Sequence, residues 1–165
     1  MTSTLIAGPG EEPVSLAEAK AWCRIDASDE DALVTALIAA ARLHIEGLTG
    51  RALVTQSWRL TVECPIGRVI TLPVLPVSAV TAATADDVTI EVVLQGDSVL
   101  LPAAGYDAVV LDYTAGYADA DAVPQDLKQA VLTLVAYWFE NRDLAATQGP
   151  PGFERLVSGY ARVRL

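Results

Sequence analysis

Along the chain the apolar positions change period twice, from helical to alternating and back to helical. The clearest helical stretch is VPQDLKQAVLTLVAYWFENRD, residues 123–143. Leu127, Val131, Leu134, Val135 and Trp138 recur at helical spacing there, and Lys128, Gln129, Thr133 and Glu140 fall largely on the other side. This predicts an amphipathic helix over about 124–143 whose core positions are Leu127, Val131, Leu134 and Trp138. Pro124 suits the first helical position, Asp126 the positive end of the helix dipole and Arg142 the negative end. Trp138 with Phe139 or Tyr137 forms the largest apolar mass in the chain.

Two shorter helices are predicted near the N-terminus. Residues 2–13, with Gly8, Pro9, Gly10 and Pro13, read as a flexible or extended arm. Ser15 and Glu18 have capping-box spacing and open a helix over about 15–25, with Leu16, Ala19 and Cys23 on one side. A second helix runs over about 29–48, with Ser28 as the expected N-cap and Gly50 as a left-handed C-cap. Its apolar stripe includes Leu33, Val34, Leu37, Ile38, Ala41, Ile45 and Leu48. Arg42 and Glu46 are four apart, which predicts an outer-face pair worth a few tenths of a kcal/mol at most.

From Ala52 the period becomes two. In QSWRLTVE, Trp58, Leu60 and Val62 alternate with Arg59, Thr61 and Glu63. RVITL, residues 77–84, VTIEVVL, SVLLP and AVVLDYTAGY follow as further short strands between turn residues. The expected fold class is therefore α+β: two N-terminal helices and one long C-terminal helix, with an inserted antiparallel β meander over about 52–115 and extended termini. Residues 1–147 make one domain in this reading. After the break QGPPG, residues 148–165 read as an extended, basic C-terminal arm.

A chain of 165 residues can bury roughly 70% of its unfolded surface in one core. No uninterrupted apolar run reaches the ~18 residues of a membrane span, so no membrane partner is expected. The N-terminal stretch lacks the basic segment and apolar core of a secretory signal. Cys23 and Cys64 share no motif spacing and fit reduced thiols. The net charge of −10 argues against a protein that grips nucleic-acid phosphates. The charge is uneven: from Arg142 onward four arginines face Asp143 and Glu154, giving +2 and leaving −12 for the rest. Either this basic tail docks on something acidic, such as a neighbouring subunit, or its charges are simply solvated.

Catalytic chemistry is not legible. There is no Gly-rich phosphate loop, no G-x-S-x-G, no H-E-x-x-H and no cysteine pair at zinc spacing. His44 has no second ligand or nucleophile in sequence, and Asp29, Glu30 and Asp31 fit helix-start charge better than a calcium loop. Asp119 and Asp121 read as a solvated loop. No catalytic, cofactor-binding or metal-binding residue is assigned, no cofactor is expected, and the expectation is a non-enzymatic assembly protein.

Four blocks sharpen that expectation. VSLAEAKAWCRID (14–26), DEDALVTALIAAARLHIEGLTGRAL (29–53) running into TQSWRLTV, ITLPVLPVSAV (70–80) and DYTAGYADADAVPQDLKQAVLTLVAYWFENRD (112–143) occur in this order. Together they resemble the head–tail connector (adaptor) proteins of tailed bacteriophages, a family whose relatives also serve in gene transfer agents. Residues 82–106 carry little of the resemblance. The resemblance implies a structural ring, typically of twelve copies, beneath the portal at the head–tail joint of a virion or phage-like particle assembled in the bacterial cytoplasm. Its partners would be itself, the portal protein and the next connector, stopper or tail protein. Packaged DNA would pass through the channel without sequence-specific binding, past an acidic wall that avoids sticking contacts. Arg155, Tyr160, Arg162, Arg164 and Leu165 are the expected docking residues for the portal or a neighbour, by addition of a strand to an exposed edge. The alternatives are a different connector layer, such as a stopper or tail-end protein, and a small non-enzymatic α+β binding domain. Phage, prophage and gene transfer agent are not separated.

Overall fold

The computed structural model describes residues 1–141 and 149–161, so Arg142, Asp143, Arg162, Arg164 and Leu165 lie outside the described residues. The chain divides into two compact units: a β unit, Met1–Gly10 with Thr55–Tyr117, and a helical unit, Glu11–Val54 with Ala118–Leu165. In sequence the β unit is inserted between the second and third helices.

The helical unit begins with α1, Leu16–Cys23. Ser15 caps it: the Glu18 N–H donates to Ser15 Oγ at 3.2 Å and the Ser15 N–H donates to Glu18 Oε2 at 2.7 Å. Both orphan donors of the first turn are thereby satisfied. Arg24 closes the helix in the left-handed region, at φ 56°. α2, Asp31–Thr49, starts two residues later than a Ser28 cap would require. Glu30 is its N-cap and makes no side-chain cap bond, while Ser28 offers its carbonyl, not its hydroxyl, to the Asp31 N–H. The Lys20 ammonium pairs with Asp31 and ties α1 to this helix start. Gly50 ends α2 at φ 66°, where a side chain would be strained.

α3, Gln125–Glu140, takes Pro124 as N-cap, one residue outside the expected position. The Pro124 carbonyl accepts from Leu127 and Lys128, and Asn141 caps the far end on the Tyr137 carbonyl. Leu127, Val131, Leu134 and Trp138 are buried together with Val34, Ile38 and Ile45 of α2.

The last segment departs from an extended arm. Phe153–Val157 is a short helix, α4, followed by a 3-10 turn at Ser158–Tyr160. Gly152 starts α4 at φ 85°, and Phe153 and Val157, four apart on one face, are both buried. Their helical spacing wins over the local breakers QGPPG that made the segment read as extended.

The β unit holds two antiparallel sheets. Five strands, β1 (Thr2–Ala7), β2 (Gln56–Glu63), β4 (Val77–Ala85), β5 (Val88–Thr89) and β8 (Ala108–Ala115), form one in the order β1-β2-β8-β4-β5. The other has β3 (Val69–Thr71), β6 (Val93–Gln95) and β7 (Ser98–Leu100) in the order β3-β7-β6. β8 is central and strictly alternating: Val109, Leu111, Tyr113 and Ala115 are buried and the residues between them are not. Leu60 opposes Leu111 in register, and Ile70, Leu72, Val99 and Leu101 supply the second sheet's buried positions.

The arm before Gly8 is strand β1, paired along β2 from Thr2↔Thr61 to Ala7↔Ser57. The single strand expected for VTIEVVL is instead two. After the Ile90 N–H bonds the Ala83 carbonyl, the chain leaves β4, and β6 pairs with β7 in the other sheet.

Candidate assembly surfaces

α2 carries apolar residues on its outer side as well as on its buried side. By length and composition alone it could cross a membrane, a test that the core helix of a soluble protein also passes. Six side chains, including Val34, Ile38, Ala41 and Ile45, turn inward. On the outer side Leu33, Leu43 and Leu48 are 36%, 59% and 47% exposed, with Ala32, Ala36 and Gly47 among them. Trp22 of α1 is also exposed. These exposed leucines have no charged residue among them, which makes this side of α2 a candidate contact surface.

The charges of α2 are withdrawn from this face. Arg42 is 8% exposed, so it does not lie on the outer face that its spacing from Glu46 suggested. Arg42 Nε donates to Glu12 Oε2 at 2.8 Å and Nη1 to Glu46 Oε2 at 2.9 Å. Glu46 Oε1 accepts the Leu53 N–H at 2.9 Å. Burial acts to lower the guanidinium's proton affinity, but the hydrogen bonds and charges of Glu12 and Glu46 outweigh it, so its pKa is raised. In the sequence Glu12 belongs to a flexible or extended arm. Its role depends on a contact thirty residues away in sequence, which periodicity cannot signal.

His44 sits on the same helix against two rings. Trp138 meets it edge-on, with centroids 5.7 Å apart at 84°, and Phe153 lies at 6.1 Å. His44 therefore packs α2 against α3 and α4. A groove of about 650 Å³ opens beside it, lined by Leu48, Gly149, Pro150, Phe153 and Arg155 among others.

The expected docking residues divide. Arg155 is exposed. Tyr160 is half-buried and engaged with its own unit: its hydroxyl donates to the Asp126 carboxylate at 2.8 Å, and the Arg51 guanidinium lies 5.5 Å from its ring centre. Arg51 Nε also donates to the Tyr160 carbonyl at 3.3 Å. These contacts fix the end of the 3-10 turn and leave Arg155 facing solvent.

In the β unit, the outer face of the five-stranded sheet is built mostly of small residues, several of them hydroxyl-bearing. Thr2, Thr4, Ser57, Thr61, Thr114 and Ala82 share it with one ion pair. Arg59 grips Asp112 with two bonds of 2.7 Å, and this hydrogen bonding holds the Asp112 carboxyl below its ordinary value. At one end of the sheet acidic residues gather. Glu63 pairs in register with Ala108, Asp107 precedes it, and Asp86 and Asp87 form the turn after Ala85. Asp86 Oδ1 accepts the N–H groups of Asp107 and Ala108, which fixes that turn.

Among the described residues no group of three or more His, Cys, Asp or Glu could hold a metal ion. Cys23 and Cys64 are both free thiols. Burial, with some help from Glu140, pushes the Cys23 thiol's pKa up, which lowers its reactivity. Asp119 caps its own loop by accepting the Ala122 N–H at 2.8 Å.

Comparison with known proteins gives a consistent result. The family model described as "Head completion protein" matches residues 13–152. A chain in a structure of the virion of a native gene transfer agent (GTA) particle superposes with a TM-score of 0.84 at 28% identity, covering 100% of this chain and 97% of that one. A chain in the neck of an empty GTA particle, computed with C6 symmetry, gives 0.81 at 29% identity over the same shares. A chain in the neck of a native GTA particle, computed with C12 symmetry, gives 0.78 at 28% identity, again over 100% and 97%. A comparison with curated proteins returns no match.

Proposed function

The chain belongs to the head completion protein family, and from that premise we propose that it is a head–tail connector: a subunit of the ring in the neck of a phage-like particle, extending the DNA channel and joining head to tail. The observation that carries this is the full-length likeness to a virion chain, a TM-score of 0.84 at 28% identity over the whole of this chain. Likeness to necks computed with C6 and C12 symmetry supports a homo-oligomeric ring.

The finer reading is twelve copies, seated on the portal protein and followed by a stopper or tail protein. A ring needs heterologous contacts, in which one face of a subunit meets a different face of the next. The uncharged outer stripe of α2, Leu33, Leu43 and Leu48, provides apolar area for such a contact in a chain whose net charge is −10. The acidic sheet end at Glu63, Asp86, Asp87 and Asp107 suits a wall past which DNA slides without binding. The C-terminal segment from residue 148 serves as the docking element in this reading. Arg155 is presented for contact there, Tyr160 anchors the segment to its own unit, and Arg162, Arg164 and Leu165 complete the docking set. Its role is structural, with no catalytic step.

Quantitative mass spectrometry of purified particles tests this. The expected result is twelve copies of the protein in each particle, equal to the portal subunit. Its absence from particles that are complete in head and tail would refute the reading.

A further inference from the structure

The five-stranded sheet has one edge, β1, without a neighbouring strand and a second, along β4, that is covered only in part. β1 forms one edge, and all six of its residues, TSTLIA, are exposed. Leu5 and Ile6 are 46% and 52% exposed. At the other side, β5 covers β4 only at Thr84 and Ala85, and the Ile90 N–H takes the Ala83 carbonyl. Before Ala83, no strand among the described residues pairs with the outer edge of β4. A groove of about 480 Å³ runs along that edge, between residues 79–83 on one side and Ile90, Glu91, Val92 and Leu94 on the other.

Soluble proteins guard such edges with lysine, proline or inward charge. Neither TSTLIA nor VSAVTAATA contains a charged residue or a proline. β4 does carry two bulges, but their polar groups are spent inside the sheet. The Ser78 hydroxyl meets Thr114 Oγ1 at 2.7 Å, and Thr81 Oγ1 donates to the Asp112 carbonyl at 3.1 Å. Neither strand adds charge of its own to the contact, so local repulsion there comes from Glu91 across the groove and not from the edges themselves.

We propose that the free edge of β1 in one copy adds to the free edge of β4, over residues 79–83, in the next copy, so that the five-stranded sheets join head to tail around the ring. This rests on the ring reading above. The two edges are different surfaces of one sheet, so each copy offers one and accepts the other, and rotation closes the set. A foreign partner would use one edge and leave the other open. The match in length supports the pairing: six residues of β1 against the five that line the groove.

Cysteine cross-linking in particles tests it. In a Cys23→Ser, Cys64→Ser background, each of Ser3→Cys, Thr4→Cys and Leu5→Cys is combined with each of Ala79→Cys, Thr81→Cys and Ala82→Cys. Particles are then treated with a short bismaleimide. Within one chain β1 and β4 are three strand spacings apart, about 14 Å, so a reagent shorter than that links only different copies. The expected result is a ladder of covalent oligomers in at least one double variant, with each single variant staying monomeric. Dimers from a β1 variant alone would indicate like-with-like pairing and overturn the proposal. So would the absence of a ladder in every combination when the protein is present in the particle at its full copy number. If the protein is missing from the neck of particles made with the unmodified chain, the ring reading itself fails.

Discussion

Replacing Arg42 by methionine should cost about 2–3 kcal/mol, although its pairing with Glu46 looks in sequence like a surface contact. An exposed i,i+4 pair contributes roughly 0.3–0.5 kcal/mol. Here the Arg42 side chain is 10% exposed, Glu46 13% and Glu12 29%, and three hydrogen bonds join them. Removing one partner of a fully buried pair costs about 3–5 kcal/mol, because the remaining charge is left uncompensated. Glu12 keeps some water and Glu46 keeps the Leu53 N–H, which brings the expected cost to the lower figure. For a chain of this size the loss corresponds to a fall in Tm of roughly 5–10 °C. Urea and thermal unfolding, followed by circular dichroism, measure it. Asp121→Asn is the control. Asp121 is fully exposed and 3.9 Å from Lys128, so its change should stay within about 0.5 kcal/mol. A loss below about 0.5 kcal/mol for Arg42→Met would show that the network is solvated and that the reasoning is wrong.

Trp138→Ala should cost about 3–5 kcal/mol, since the ring is 2% exposed and packs against His44; denaturant titration would show it, and a cost near 1 kcal/mol would mean that the site collapses around the smaller residue. The Asp112 and Glu18 carboxyls, held below their ordinary values by Arg59 and by the Ser15 hydrogen bonds, contribute stability that is present above those ordinary values, about 3.8 and 4.5, and is lost as pH falls through the lower folded values. Asp112→Asn and Glu18→Gln should therefore flatten the acid limb of a pH–stability curve measured below about pH 5. Leu43→Lys should leave the Tm of the free chain nearly unchanged, because the side chain is 59% exposed, while lowering incorporation into particles severalfold by immunoblot; unchanged incorporation would remove α2 from the subunit contact.

What could be read in the sequence followed local rules. The capping box at Ser15 and Glu18, the glycine cap at Gly50, the alternation in β2 and β8 and the α3 stripe all depend on neighbours a few residues apart. What could not be read depends on distant partners. β1 is a strand because β2, more than fifty residues later, pairs with it, and GPGEEP beyond it hid the signal. Glu12 has a role only because Arg42 turns inward, and VTIEVVL divides because its two halves pair in different sheets. The C-terminal segment is a short helix and not an extended arm because Phe153 and Val157 find a buried surface, a contact that the local pattern of QGPPG does not signal. For function, no familiar catalytic motif was legible, while the four blocks in order carried the resemblance to head–tail connectors that the family model and the neck structures bear out. The exposed α2 leucines and the unprotected sheet edges became candidate contacts only once burial and pairing were known.

Electron microscopy of particles from a producing cell with this gene deleted tests the connector role most directly. The expected result is DNA-filled or leaking heads without tails, alongside separate free tails. Normal tailed particles from the deletion strain would contradict it.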